Sequence, residues 1–561
     1  MSSFALDRRR LLAGLGAGSA ALLLGNKAAS APLDLAYVNG QVWTGIKGLP
    51  LAGALGISGN RIACVGKGAT RARIGRQTRV IDLKSAFVTP GFMDNHTHFS
   101  MGSFALVRVQ LLETRTPQQF IDAIGGHART MASGKWMQGF GWDAERWGGE
   151  LPSRQWIDAV TPDTPVLVQR TDGHIALANS LALKLAGITR DTPDPKGGVI
   201  DRDAKGDPTG ILRDNAMDRV FAAIPPETHA DIDAAMRKGI EAGLSRGLTQ
   251  VHNTDTDWDT FDSARRLRAA GETDMRFYSF APLRDWEKLA RLIRAEGRGD
   301  DWVRWGGCKG MADGALGSRT ALMRQHYSND EKNFGMALQS FDLFADWVDH
   351  ADQAGLQVAA HAIGDAAIDK VLDIFAAVSR RNGKRDRRFR IEHAQHIALD
   401  AIPRFGREKV IASVHPYHAI DDGRWAGKVL NQSQLKGSWP VRSLLDTGAK
   451  VTFGSDWPVA PLDPLGGIEA AVLRRTTDGL QPGGFVPQQR ITAAEALSAY
   501  TTANAYGGFQ EDRLGTIAPG KLADLTVLGQ NLLTCDPATI AMTEVLRTVV
   551  NGKERFTASS A

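Results

Sequence analysis

The sequence predicts a (β/α)8 barrel (α/β class, TIM type) with a small β domain assembled from both chain ends. Roughly 400 central residues alternate short apolar runs with amphipathic stretches, which favours one barrel with insertions over two separate α/β domains. Both flanks read instead as glycine-broken β runs, too small to close a core of their own. Metal-competent side chains also recur where the inferred strands end, which is the working face of such a barrel.

The composition agrees with a large globular protein. Of 561 residues, 43% are hydrophobic, and 67 basic against 62 acidic side chains leave a net charge of +5. Arg8, Arg9, Arg10 and Lys27 against Asp7 place most of that surplus in residues 1–31. The remainder is nearly neutral, so nucleic acid and anionic membrane lose compositional support as partners. Cys64, Cys308 and Cys535 lie far apart, which excludes a disulfide framework or a zinc finger.

Residues 1–31 read as an export signal. Arg8-Arg9-Arg10 precedes an apolar run from Leu11 to Gly25 and then Ala29-Ser30-Ala31, a small-x-small cleavage pattern. The run is short of the ~20 residues that span a bilayer, and the paired arginines resemble a twin-arginine signal. The expectation is a periplasmic or secreted protein handed to the twin-arginine machinery, with no stable membrane span after cleavage.

Residues 32–89 supply the first part of the β domain. Leu35–Val38 and Gln41–Thr44 flank Asn39-Gly40, and Ala54–Ile57 and Arg61–Val65 flank Gly59-Asn60, so two hairpins are expected. Residues 506–561 supply the rest, through Ala523–Leu528 and Thr548–Lys553. Residues 90–505 form the barrel. Phe87–Asp94 reads as its first strand. Ser340 caps a helix bearing Phe344, Trp347, Val348 and Ala351. Leu356–Ala360 is a strand feeding a helix with Ile368, Val371, Leu372 and Phe375 at i, i+3, i+4, i+7. Phe389–Ile391, Val410–Val414 and Val451–Phe453 are further strands.

Placed on this map, His96 and His98 follow the first strand, where alternate residues aim two imidazoles at one point. Lys309, His361, His393 and Asp456 end other strands. Neutral imidazoles and a carboxylate suit a borderline divalent ion such as Zn²⁺. A free ammonium beside a cation would be repelled, whereas CO2-derived carbamylation would make Lys309 a bridging carboxylate.

These segments resemble the amidohydrolase superfamily, in particular the branch that includes N-substituted formamide deformylases. The match runs in order through Pro90–His98, Lys309–Gly314, His361–Asp365, Ile391–Ala394, Gly454–Pro458 and Gly515–Asp524. The resemblance implies a metal-bearing barrel and a β-sandwich built from both ends. It implies His96, His98 and Asp456 on one metal, His361 and His393 on a second, and carbamylated Lys309 between them. Asp313 is a rival ligand, and branches of the superfamily carry one metal or two. Water activated to hydroxide near neutral pH would attack a carbonyl, with Asp456 as general acid and base. His174 matches a segment near the family's substrate pocket, His418 follows a strand, and Trp142 and Trp457 lie in loops that hold substrate or else fill core.

The expected function is hydrolysis of a small-molecule amide or formamide C–N bond. Ester, lactone or phosphotriester cleavage at the same site is the alternative, and a metal-free binding or regulatory protein on the same scaffold is a second. The oligomeric state, homo-oligomer included, is left open.

Overall fold

The computed structural model describes residues 32–559, apart from 133, 171–173 and 256. The export-signal reading, with its cleavage point at Ala31, falls outside the described residues. Two compact units emerge. One comprises residues up to 97, 241–257 and 273 onward; the other comprises 98–240 and 258–272.

The first unit contains the barrel. Its strands are β1 Phe92–Thr97, β2 Leu248–Asn253, β3 Arg276–Pro282, β4 Val303–Met311, β5 Gln357–Ala362, β6 Arg390–His393, β7 Ile411–Val414 and β8 Val451–Phe453. All neighbours pair in parallel, from β1 beside β2 through to β7 beside β8. The seam between β8 and β1 is crossed by a Thr97–Trp457 bridge and by the Asp456 amide donating to the His96 carbonyl at 2.8 Å. Asn504 pins both edges, its Nδ2 donating to the carbonyls of Met93 (2.6 Å) and Phe453 (2.8 Å). The strands are buried on both faces, as a parallel sheet under helices requires.

The helices around it follow local signals. Ser340 caps Phe341–Gln353 by accepting from the Leu343 amide, and Asp365–Arg381 buries Ile368, Val371, Leu372 and Phe375 along one stripe.

The chain ends join in one sheet of eight strands. Leu525–Leu528 pairs antiparallel with Phe87–Pro90, and Leu35, Tyr37, Leu55, Val88, Leu525 and Val549 share a core. Two expectations need correction. Asn39-Gly40 does not turn a hairpin: Leu35–Val42 is one strand, and Asn39 (φ 56°) sits in an irregularity between Val38 and Val42. A bulge takes up the asparagine's left-handed backbone while pairing continues on both sides. The run Phe87–Asp94 is also two strands, with Phe87–Pro90 in the chain-end sheet and β1 beginning at Phe92. Gly91 separates them, and a Cβ there would lie 2.3 Å from the Thr249 side chain.

The second unit has its own six-stranded mixed sheet. In order it comprises Gly198–Arg202, Pro208–Asp214, Ile175–Ala178, Val166–Arg170, Met137–Trp142 and Val109–Gln110. Phe120, Trp142, Ile157, Val168 and Leu177 form part of its core. These strands interrupt the barrel sequence between β1 and β2.

Candidate metal centre

At the C-terminal ends of β1, β6, β7 and β8, His96, His393, His415 and Asp456 converge. One ligand atom from each lies within 4.8 Å of all the others, and all four residues are buried. The His96 and His415 rings are 4.5 Å apart, and those of His393 and His415 are 4.7 Å apart. His96 Nε2 is 3.4 Å from Asp456 Oδ1, and His393 Nδ1 is 4.0 Å from Asp456 Oδ2.

His393 and Asp456 both take left-handed backbone, with φ of 70° and 64°. Each is the turn residue by which a strand end swings its side chain toward the cluster. Such conformations cost about 1–3 kcal/mol apiece for a residue with a side chain and concentrate at functional sites.

Around the four stand further expected residues. Lys309 Nζ is 3.5 Å from His96 Nε2. The His361 ring is 4.4 Å from that of His393, and its Nε2 faces the Gly314 carbonyl at 3.1 Å. His418 Nε2 lies 3.7 Å from Asp456 Oδ2, and its side chain is 13% exposed. Trp457 is buried next to Asp456, its amide donating to Ser455 Oγ.

His415 was missing from the expected ligands, although it follows β7 as directly as the others follow their strands. The strand-end rule that selected His361 would have selected it too. Sequence reasoning also passed over the support beneath His96. Glu392 Oε2 accepts from His96 Nδ1 at 2.6 Å, which fixes the tautomer and leaves the Nε2 lone pair facing the cluster. Arg390 donates to both Glu392 oxygens at 2.7 and 3.0 Å, and Ser413 Oγ donates to Oε2 at 2.6 Å. Asp94 Oδ1 accepts from the amides of His96 and Ser455 at 3.1 and 2.9 Å, tying the two strand ends together.

Of the remaining expected residues, His98, Trp142 and His174 belong to the second unit and Asp313 to the first. β1 ends at Thr97, and His98 follows it directly. His98 opens the second unit, at the start of the helix Phe99–Val107. Trp142 is 0% exposed in the core of that unit, with its indole N–H donating to the Val168 carbonyl. It fills space there and presents no surface to a ligand. His174, also in that unit, has a 75% exposed side chain and pairs with Asp214 at 2.8 Å. Asp313 is an anchor: its carboxylate accepts from the amides of Leu322, Ile363 and Gly364 and sits 3.6 Å from His361. Burial pushes that carboxyl up to about 7 against those hydrogen bonds.

The donors fit a cation. Burial, with His361 and the other imidazoles adding repulsion, holds His393 far below its ordinary value, and burial holds His415 at about 3. The rings are therefore neutral lone-pair donors at physiological pH. Among the described residues, His393 Nδ1, His415 Nε2 and His418 Nε2 are buried without a hydrogen-bond partner. A divalent ion satisfies such nitrogens, and no protein group does. Burial also lowers Lys309, opposed by Glu392 and Asp456. Burial would raise Glu392, but Arg390, Lys309 and Ser413 outweigh it and hold the carboxyl below its usual range.

A parallel barrel gathering buried imidazoles and a carboxylate at its C-terminal mouth is the scaffold of metal-dependent hydrolases. Comparison places the chain more narrowly: it belongs to the amidohydrolase family, which it matches over residues 79–556. It is 36% identical over 539 residues to Protein LONG AFTER FAR-RED 3 of Arabidopsis thaliana, covering 93% of this chain and 91% of that one. It is 30% identical over 544 residues to the N-substituted formamide deformylase of Arthrobacter pascens, covering 93% and 98%. An uncharacterized metal-dependent hydrolase from Pyrococcus furiosus superposes with a TM-score of 0.75 at 28% identity, covering 89% of this chain and all of that one.

Proposed function

We propose that the protein is an exported hydrolase of a non-peptide C–N bond, an amide or formamide of a small molecule. The observation that carries this reading is the convergence of His96, His393, His415 and Asp456 on one point, with Lys309 and His361 beside them. A divalent ion held there, zinc being the best match to nitrogen and oxygen donors, polarises a carbonyl and acidifies water.

The chain's own residues do the rest. Asp456 faces the cluster with one oxygen and His418 with the other. Its carboxylate takes the proton of the attacking water and returns it to the departing nitrogen. The water oxygen bonds to the carbonyl carbon, the C–N bond breaks, and the amine leaves neutral. An amide needs that proton, because an amide anion is a poor leaving group. His418 is placed to orient the carbonyl oxygen. Burial disfavours the Lys309 ammonium, and its amine, once deprotonated, would add CO2 and release a proton. The resulting carbamate would give Lys309 a carboxylate with which to hold a cation beside His361. The resemblance to a formamide deformylase over nearly the whole chain supports the bond type.

A panel of N-formyl amines, N-acyl amines, cyclic amides, esters, lactones and phosphotriesters, offered to zinc-reconstituted protein, tests this reading. Amine release is expected, and it should disappear in Asp456→Asn. Turnover confined to esters, lactones or phosphotriesters would overturn the C–N assignment. For export, replacing Arg8 and Arg9 with lysine should strand the protein in the cytoplasm. Unchanged release would refute the twin-arginine route.

A further inference from the structure

The opposite end of the barrel carries a concentration of positive charge that the hydrolytic site does not use. A cavity of about 200 Å³ opens there, lined by Arg298, Arg304, Arg385 and Arg387 with Tyr278 and Phe509. Arg304 is the second residue of β4 and Tyr278 the third of β3, whereas the metal-competent side chains stand at the other ends of their strands.

The charges do not cancel. Arg385 and Arg387 share a single buried acid, Asp352, at 2.6, 2.9 and 3.0 Å. Asp386, which also lines the cavity, is paired with Arg388 at 2.9 Å. Among the described residues, Arg298 donates only to the carbonyls of Gly306 and Gly355, at 3.2 and 2.9 Å. The Arg304 side chain makes no hydrogen bond or ion pair among the described residues, and its buried Nε, like that of Arg385, has no partner. Asp301, the acid nearest in sequence, is taken by Arg513. Burial, Arg513 and Arg298 all lower the affinity of Arg304 for its proton, against the attraction of Tyr278 and Asp301. A guanidinium held among like charges is costly unless an anion joins it.

The geometry points to a ligand. Gly306 lacks a side chain where a Cβ would come 2.3 Å from an Arg298 nitrogen, and the Gly355 position lies 3.6 Å from Arg385 and 3.9 Å from Arg298. The two guanidiniums therefore approach one another across bare backbone. Guanidinium forks match the oxygen spacing of tetrahedral oxyanions. We propose that this cavity binds a small oxyanion of the phosphate class, free or as the phosphoryl group of a larger molecule, at a site separate from the hydrolytic centre.

Thermal unfolding and calorimetric titration of the full-length, zinc-loaded protein with inorganic phosphate test the proposal, with chloride holding ionic strength constant. Saturable stabilisation by phosphate is expected, with affinity at least tenfold weaker in Arg304→Gln. Because the Arg304 side chain has no partner among the described residues, that variant should keep wild-type turnover. Arg304→Lys, which keeps the charge but loses the fork, should fall between the two and serves if the glutamine variant misfolds. Phosphate inhibition of turnover, which reports the metal centre, should be the same in all three proteins. A phosphate monoester binding as tightly as phosphate would identify the phosphoryl group of a larger molecule, and exclusion of the ester would identify the free anion. Equal stabilisation by chloride, no saturable effect, or undiminished affinity in both Arg304 variants would overturn the proposal.

Discussion

Asp456 illustrates how much one position is asked to do. It holds a left-handed backbone, offers a ligand oxygen to the cluster and faces His418. Asparagine tolerates that backbone almost as well, so Asp456→Asn should keep fold and most bound metal. It should nevertheless lose roughly 10²–10⁴-fold in kcat, the usual worth of a positioned proton-transfer group. Wild-type turnover on an amide would remove the aspartate from that role. Glu392→Gln acts one bond further out: by loosening the His96 tautomer it should cost about 10–100-fold in metal affinity or activity, measured by competition with a chelator. His396 gives a pH signature. Burial holds it at about 3, between Ser438 Oγ and Gln395. Its folded value lies below the unfolded one of ~6.5, so between those limits the unfolded chain binds the extra proton. The stability contributed by keeping this ring neutral is whole above pH 6.5 and is lost on acidification, by up to about 1.4 kcal/mol per pH unit. His396→Gln should therefore lose less stability than wild type between pH 6.5 and 4.5 in parallel denaturant titrations. Identical slopes would mean that another group carries the acid sensitivity.

Among the elements, the chain-end sheet and the barrel are joined by a buried ion pair. Arg276, which begins β3, donates to both oxygens of Asp524 at 2.6 and 2.9 Å, and both side chains are almost fully buried. Asp524 closes the Gly515–Asp524 segment and also accepts from the Asn551 amide, so one carboxylate ties the sheet to the barrel. Asp524→Ala should destabilise by about 3–5 kcal/mol, because it strands a buried guanidinium. Adding Arg276→Met should recover part of that loss in chemical denaturation, and a strictly additive double variant would show the pair to be unimportant. Element boundaries were legible where a local signal acts alone. Ser340 caps its helix, Gly59-Asn60 turns its hairpin, and the stripe from Ile368 to Phe375 lies buried. They were illegible where pairing partners decide. Asn39-Gly40 has the composition of a hairpin turn, but strands on both sides hold the backbone extended around it. Gly91 divides one apolar run between two sheets because the β2 side chain of Thr249 leaves no room for a Cβ, a constraint from a residue 158 positions away in the sequence.

Across the whole molecule, the barrel could be read because its chemistry marks its strand ends: Lys309, His361, His393 and Asp456 each follow a short apolar run. The unit formed by residues 98–240 and 258–272 could not be separated from it. Strands such as Val166–Arg170 have the same apolar composition as barrel strands, and only their partners assign them to another sheet. His415 was missed for a different reason: it shares one short segment after β7 with His418, and only the backbone path tells which ring meets the cluster. The membership of the cluster was thus mostly readable, while its exact set of donors depended on three-dimensional convergence. Buried nitrogens without partners imply that metal and fold are linked, so stripping divalent ions with a chelator should lower Tm and restoring zinc should recover it. The most direct test is anomalous diffraction at the zinc edge from crystals of protein purified without chelator. A peak of near-full occupancy is expected within bonding distance of His96, His393, His415 or Asp456, with a second beside Lys309 and His361 if the lysine bridges. Fully occupied protein density with no anomalous signal at that cluster would contradict the metal centre and the hydrolytic function built on it.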